Sequence, residues 1–169
     1  MLDLFKHALT TQFEAGLCML DDCLRLCPDA HWDAPVAKYA LWHVAYHTLI
    51  FVDLYLTTSQ KAFEFRPDLH PGRYGEWDNE YPSRRFERGE LLGYVTICRQ
   101  KARDTIAGET AETLAGPSGF HWLGFTRAET HLYNLRHIQH HTAQLAACLR
   151  RLDPSIDLRW VGAGWHEPA

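Results

Sequence analysis

Three features of the sequence predict an all-α fold, a four-helix bundle with a long crossover between helices two and three. Four long stretches place apolar residues at steps of three and four. No stretch alternates with the period of two that marks a strand, and no Gly-rich phosphate loop or internal repeat is present. A long polar, proline-bearing segment separates the second stretch from the third, which permits a crossover that a short turn would not.

The first helix covers residues 2–26, where Leu2, Phe5, Leu9, Phe13, Leu17, Leu20 and Leu24 recur at helical spacing between charged residues. Pro28 stops it, and CPDAHWDAPVAK is a connector. The second helix spans residues 39–58. Trp42, Ala45, Leu49, Val52 and Leu56 form one apolar stripe, and Leu41, Val44, Phe51 and Tyr55 form another. A helix apolar on several sides must be covered on several sides, by the bundle or by a partner subunit, and a homodimer is the economical expectation.

Residues 57–88 turn polar, with Pro67, Pro71 and Pro82 and the aromatic residues Phe63, Phe65, Tyr74, Trp77 and Tyr81. Loops this long inside compact domains are usually functional or disordered, and the aromatic content favours a crossover packed over one end of the bundle. The third helix covers 84–107, with Leu91, Val95, Cys98, Ala102 and Ile106 on its stripe. GETAETLAGPSGFHWLGF reads as irregular, and the fourth helix runs 126–152, up to Asp153-Pro154. The tail, SIDLRWVGAGWHEPA, is expected to fold back on the body or cover a partner.

A chain of 169 residues fits a single domain, 1–169, that can bury a core without disulfides or a structural metal. Any bound metal is therefore expected to be functional. The 17 basic and 21 acidic residues give a formal charge of -4, with no basic stripe of the kind that tracks nucleic acid. The apolar run 39–56 is interrupted by His43, His47 and Asp53 and falls short of a membrane span. No signal peptide opens the sequence, so a cytoplasmic protein with a small-molecule substrate is expected, with neither nucleic acid nor membrane as a partner. Cys18, Cys23, Cys27, Cys98 and Cys148 form no CxxC pair and read as reduced core thiols.

Histidines carry most of the chemical information. His137 and His141 are four apart, turned by about 40° and separated by about 6 Å along a helix axis, so their imidazoles project side by side. Two rings so placed can share a divalent cation, and a third nitrogen donor from another buried helix completes a facial set with open positions. With His137 at zero and about 100° per residue, Ile138, Thr142, Leu145 and Leu149 fall between roughly 80° and 140°, the buried sector. His141 lies near that sector at about 40° and His137 at its edge, whereas His140 points about 60° the other way and reads as a rim residue. On helix two, His43 and His47 are also four apart, and spacing leaves either free to face the site.

A histidine on an apolar face is more often a hydrogen-bonded core residue than a ligand. Three candidates on two buried helices would, without a metal, require several polar rings to be satisfied in one core, which is costly. Asp53 is read as a surface or dimer-contact charge in preference to a carboxylate orienting a ligand. Asn134 and Gln144 flank the histidine face; His121 and Trp122 stand where they could cap the site. His7, His31, His70 and His166 read as solvated, and Ser118 has no base nearby.

The helix-two pattern W-x-x-x-x-H with a later acidic residue (Trp42, His47, Asp53) and the helix-four pattern H-x-x-H-H-x-x-Q (His137, His140, His141, Gln144) resemble the DinB/YfiT-like superfamily of metal-dependent enzymes. The resemblance covers most of the chain. It implies that His47, rather than His43, joins His137 and His141 as metal ligand, that the metal is zinc or nickel, and that the protein is a homodimer. Characterised relatives include transferases and isomerases that use low-molecular-weight thiols. Thr142-Ala143 stands where some relatives have Arg-Gly, which leaves the ligand positions intact.

The expected function is thus a metal-dependent enzyme of the thiol S-transferase or hydrolase type, in which the cation activates a thiol or a water. No inward Glu or Asp offers a general base, which favours thiol transfer, with His140 or His43 available to take a proton. The alternatives are a non-catalytic bundle that binds metal or a small ligand in stress response, and a plain helical dimer whose histidines are core groups.

Overall fold

Helical spacing of apolar residues yields four long helices in the computed structural model, which describes residues 1–71 and 84–166. α1 (Leu2–Leu26) turns Phe13, Leu17, Leu20 and Leu24 fully inward. Burial of each such side chain contributes roughly 1.5–3 kcal/mol before chain entropy is set against it. At residues 35–40 the chain makes a small antiparallel hairpin of β1 (Pro35–Val36) and β2 (Tyr39–Ala40), with Ala37 at a positive φ of 55°. That hairpin displaces the expected start of the second helix. The Leu41 amide donates to the Ala34 carbonyl, and α2 (Leu41–Tyr55) begins there.

α2 also ends three residues earlier than expected, because its last carbonyls leave the helical pattern to meet Arg127. The Arg127 guanidinium donates to the carbonyls of Tyr55, Leu56 and Thr57 at 2.7–3.1 Å. α3 (Arg88–Gly108) starts at a reciprocal cap between Glu87 and Glu90. The segment expected to be irregular contains a short helix, α4 (Ala111–Ala115), opened by the same kind of cap between Thr110 and Thr113. α5 (Arg127–Leu152) follows the Thr126–Glu129 cap and stops at Asp153, as the sequence indicates.

Side-chain contacts fix the helix directions. Lys6 reaches the Ala107 and Glu109 carbonyls while Glu14 pairs with Arg99 and Arg103, so α1 and α3 are antiparallel. The Cys98 thiol donates to the Leu49 carbonyl, Lys101 pairs with Asp53, and Thr105 donates to the Leu56 carbonyl, so α2 and α3 run the same way. The chain between them must therefore return by the length of α2, about 22 Å, before α3 can start. Tyr74, Trp77, Tyr81 and Pro82 of the expected aromatic crossover lie outside the described residues. α5 packs on both α1 and α2, and at Gly16 a Cβ would come within 3.0 Å of the Ile138 side chain, so α1 and α5 approach closely there.

Thirteen of the fifteen residues of α2 are buried by the chain itself. The first apolar stripe is covered in full in this way and the second at every position but Phe51. The tail folds back on α1: Arg159 pairs with Asp22, and the Gly164 amide donates to the Thr11 carbonyl. All five cysteines are buried and free, and burial pushes the Cys23 thiol up to about 12. Among the described residues no helix is long and apolar enough to cross a membrane.

The loop between α4 and α5 approaches the end of α2 at Gly119, whose φ is +86°. A Cβ there would lie 1.9 Å from the Thr58 carbonyl oxygen. Gly119→Ala is expected to cost roughly 2 kcal/mol or more, a fall in thermal midpoint of about 4–8 °C for a chain of this size. Circular dichroism melting checks it; an unchanged midpoint would show that the loop shifts freely off Thr58.

Candidate metal centre

Only two residues of α2 are not buried, His47 and Phe51, one turn apart. This single opening in α2 faces α5 at His137 and His141. Ligand nitrogens of His47, His137 and His141 all lie within 4.8 Å of one another, so the three histidines are close enough to bind a metal ion. The Nε2 atoms of His47 and His137 are 3.4 Å apart. Two nitrogens bound tetrahedrally to one zinc at about 2.0–2.1 Å would be separated by about 3.3 Å, so this pair already has the spacing of neighbouring ligands.

The protonation states also fit a cation. Burial, reinforced by the neighbouring imidazoles, pushes His137 down to about 2, and burial pushes His141 down to about 4. Both rings are therefore neutral at physiological pH and present lone pairs, which metal binding requires. His141 Nδ1 lies 2.9 Å from Gln144 Oε1, while His137 Nδ1 has no hydrogen-bond partner among the described residues. No Asp, Glu or Cys joins the three-histidine cluster among the described residues. Phe51 walls the cluster, its ring centroid 4.7 Å from that of His47 and 5.5 Å from that of His137.

The other candidates separate clearly. His43 is not in the cluster; it stacks on Trp42 and meets the edge of Tyr39, and burial lowers it to about 4. His140 is exposed and 3.1 Å from the Gln144 amide nitrogen. Trp122 donates to the Tyr55 hydroxyl at 3.4 Å, and the Tyr55 ring in turn packs on Phe51, so the loop before α5 approaches the site through an aromatic chain. Ser118 donates to the Phe120 and Leu123 carbonyls and shapes that loop. Asn134 is buried and donates to the Val52 carbonyl, which ties α5 to α2.

Two sequence expectations need correction. Asp53 is not a surface or dimer-contact charge: it is 2% exposed and accepts from Arg66 at 2.8 Å, from Tyr94 at 2.9 Å and from Lys101. Nor is His70 solvated. Its Nδ1 accepts from the Arg66 amide, which puts the proton on Nε2, and that nitrogen donates to the Tyr94 hydroxyl at 2.9 Å. Tyr94 then donates to Asp53, completing a buried chain that fastens the segment after α2 to α2 and α3.

A second buried charge cluster was not anticipated. Glu109 accepts from both Arg127 and His131 at 2.9 Å. Burial works against ionisation of Glu109, but bonds from Thr113, His131 and Arg127 outweigh it and hold the carboxyl below its ordinary value. The signal was present in the sequence: stepping back from Ile138 by four and then three places Asn134 and His131 on the same buried stripe.

A cavity of about 980 Å³ lies between these two clusters, lined by Asp53, Glu64, Arg66, Lys101, Glu109 and Arg127 among others, and none of the three clustered histidines borders it. Its cations Arg66, Lys101 and Arg127 are engaged by Asp53, Glu109 and backbone carbonyls, so we place the candidate chemistry at the histidines. No family model, curated protein or solved structure matches the chain.

The buried histidines set a pH dependence. Burial lowers His70 from 6.5 to about 4, so between those values the unfolded chain binds more protons than the folded one. The contribution of His70 is complete above about pH 6.5 and is lost as pH falls towards 4. His70→Gln should be less stable near pH 7 yet lose less stability than the parent between about pH 7 and pH 4.5, as urea midpoints would show. Parallel pH slopes for the two proteins would exclude His70 as the titrating group.

Proposed function

We propose that the chain is a metal-dependent enzyme of the DinB/YfiT-like four-helix-bundle type, with His47, His137 and His141 as the ligands of one divalent cation, zinc or nickel. The observation that supports this most directly is the convergence of three imidazoles from two helices at the one opening in α2. Three neutral imidazoles suit borderline cations better than the hard ions that prefer oxygen. A cation held there would supply Lewis acidity, lowering the pKa of a low-molecular-weight thiol or of a water so that a nucleophile forms at neutral pH.

The surrounding residues favour a thiol S-transferase over a hydrolase. Water activation is best served by a carboxylate base at the site, and no Asp or Glu joins the histidine cluster among the described residues. Phe51 limits water on one side of the cluster and offers an apolar face to the carbon portion of a substrate. Of the two candidate proton acceptors, His43 is sequestered against Trp42, and His140 is exposed but its Nε2 lies against the Gln144 amide. A cytoplasmic homodimer belongs to the same reading; Leu4, Leu132 and Trp160, exposed by 66%, 47% and 78%, are apolar surface of the kind a second subunit would cover.

Metal content decides the reading. Untagged protein purified without added metal is expected to carry about one zinc or nickel per chain by plasma mass spectrometry, and His137→Ala and His141→Ala are expected to lose it. Protein that carries no metal and cannot be loaded with zinc, nickel or manganese would defeat the proposal. Metal-dependent consumption of a thiol in the presence of an electrophile then separates a transferase from a bundle that only binds metal.

A further inference from the structure

Behind the histidine cluster, α5 carries a second layer of hydrogen bonds whose direction has chemical content. Gln144 lies three residues beyond His141 and four beyond His140, so all three side chains meet on one face of the helix. Its amide joins the two rings, with His141 Nδ1 2.9 Å from Oε1 and His140 Nε2 3.1 Å from Nε2. An amide oxygen only accepts and an amide nitrogen only donates. In this sense of the amide, His141 carries its proton on Nδ1 and keeps the Nε2 lone pair, while His140 accepts at Nε2.

Reversing the amide reverses both rings. The amide nitrogen would then donate to His141 Nδ1, the His141 proton would move to Nε2, and the lone pair needed by a cation would be gone. His140 would have to donate from Nε2 to the amide oxygen. One side-chain amide thus couples the tautomers of a candidate ligand and of its exposed neighbour.

We propose that Gln144 is a positioning residue of the metal centre: its amide holds His141 in the Nδ1–H tautomer and joins that ring to His140. The proposal rests on the reading that His47, His137 and His141 hold a cation. It gives His140 a different part from that of a proton acceptor, because its Nε2 is already engaged. It also sets the two α5 ligands apart, since His137 Nδ1 has no comparable partner among the described residues. Polar groups behind a ligating imidazole commonly contribute 10–100-fold to metal affinity, and the exposure of Gln144 places it at about tenfold.

Two readouts on the full chain test this. With isotope-labelled histidine in metal-free protein, proton–nitrogen correlation spectra show which ring nitrogen is protonated. His141 is expected as Nδ1–H in the parent, as mainly Nε2–H in Gln144→Ala, and again as Nδ1–H in Gln144→Glu, which retains an acceptor. An Nε2–H parent, or an unchanged Nδ1–H form in Gln144→Ala, overturns the proposal. In cobalt(II) titrations followed by visible absorption, Gln144→Ala should bind about tenfold more weakly and Gln144→Glu within about threefold of the parent. Equal affinity in Gln144→Ala and the parent overturns the proposal alone; no cobalt uptake by the parent overturns the metal reading and the proposal with it.

Discussion

α2 is buried on every side but one, and much of the molecule is arranged around the need to cover it. A helix so enclosed cannot leave polar groups unsatisfied without a cost of about 1–3 kcal/mol each, so each one needs a partner. Thr48 donates back to the Val44 carbonyl, Asp53 draws in Arg66, Lys101 and Tyr94, and the carbonyls of Tyr55, Leu56 and Thr57 are taken by Arg127. What remains open is the patch of His47 and Phe51. The candidate metal centre stands there because it is the one place where a side chain of α2 meets space instead of core.

The two buried charge clusters hold this arrangement from different directions. Asp53 links α2 to α3 through Lys101 and to the segment after α2 through Arg66, so the parallel pair and the start of its crossover share one carboxylate. Arg127 and Glu109 join the start of α5, the end of α3 and the end of α2. Buried pairs of this kind add little net stability relative to apolar packing, but losing one partner strands a charge at a cost of about 3–5 kcal/mol. Their value here lies in position: the Arg127 bonds fix how far α5 slides along α2, and that sets the distance between His47 and the pair on α5.

Legibility in the sequence followed the range of each interaction. The limits of α1 and α5 could be read because Pro28, the Thr126–Glu129 cap and Asp153 are local signals. The phase of α5 placed His137 and His141 at the margin of its buried face and His140 outside it, and the structure finds the first two partly buried and the third exposed. Asp53 was misjudged because its partners stand 13, 41 and 48 residues away, where no periodicity reaches. His70 failed for the same reason, its hydrogen bond to Tyr94 spanning 24 positions. Spacing alone could not choose between His43 and His47, since that choice depends on which face of an all-round apolar helix meets α5.

The two helices that bring the histidines together are far apart in the chain. His47 and His137 lie 90 positions apart. At ordinary elongation rates a growing chain exposes the first of them roughly 5–20 s before the second is synthesised. Until then α2 lacks the cover of α5, and the three histidines are not yet together. The three-histidine cluster can form only once the pair on α5 exists, so its closure is a final step of tertiary assembly. The most apolar helix of the chain therefore keeps its one open face uncovered until the last helix has been made.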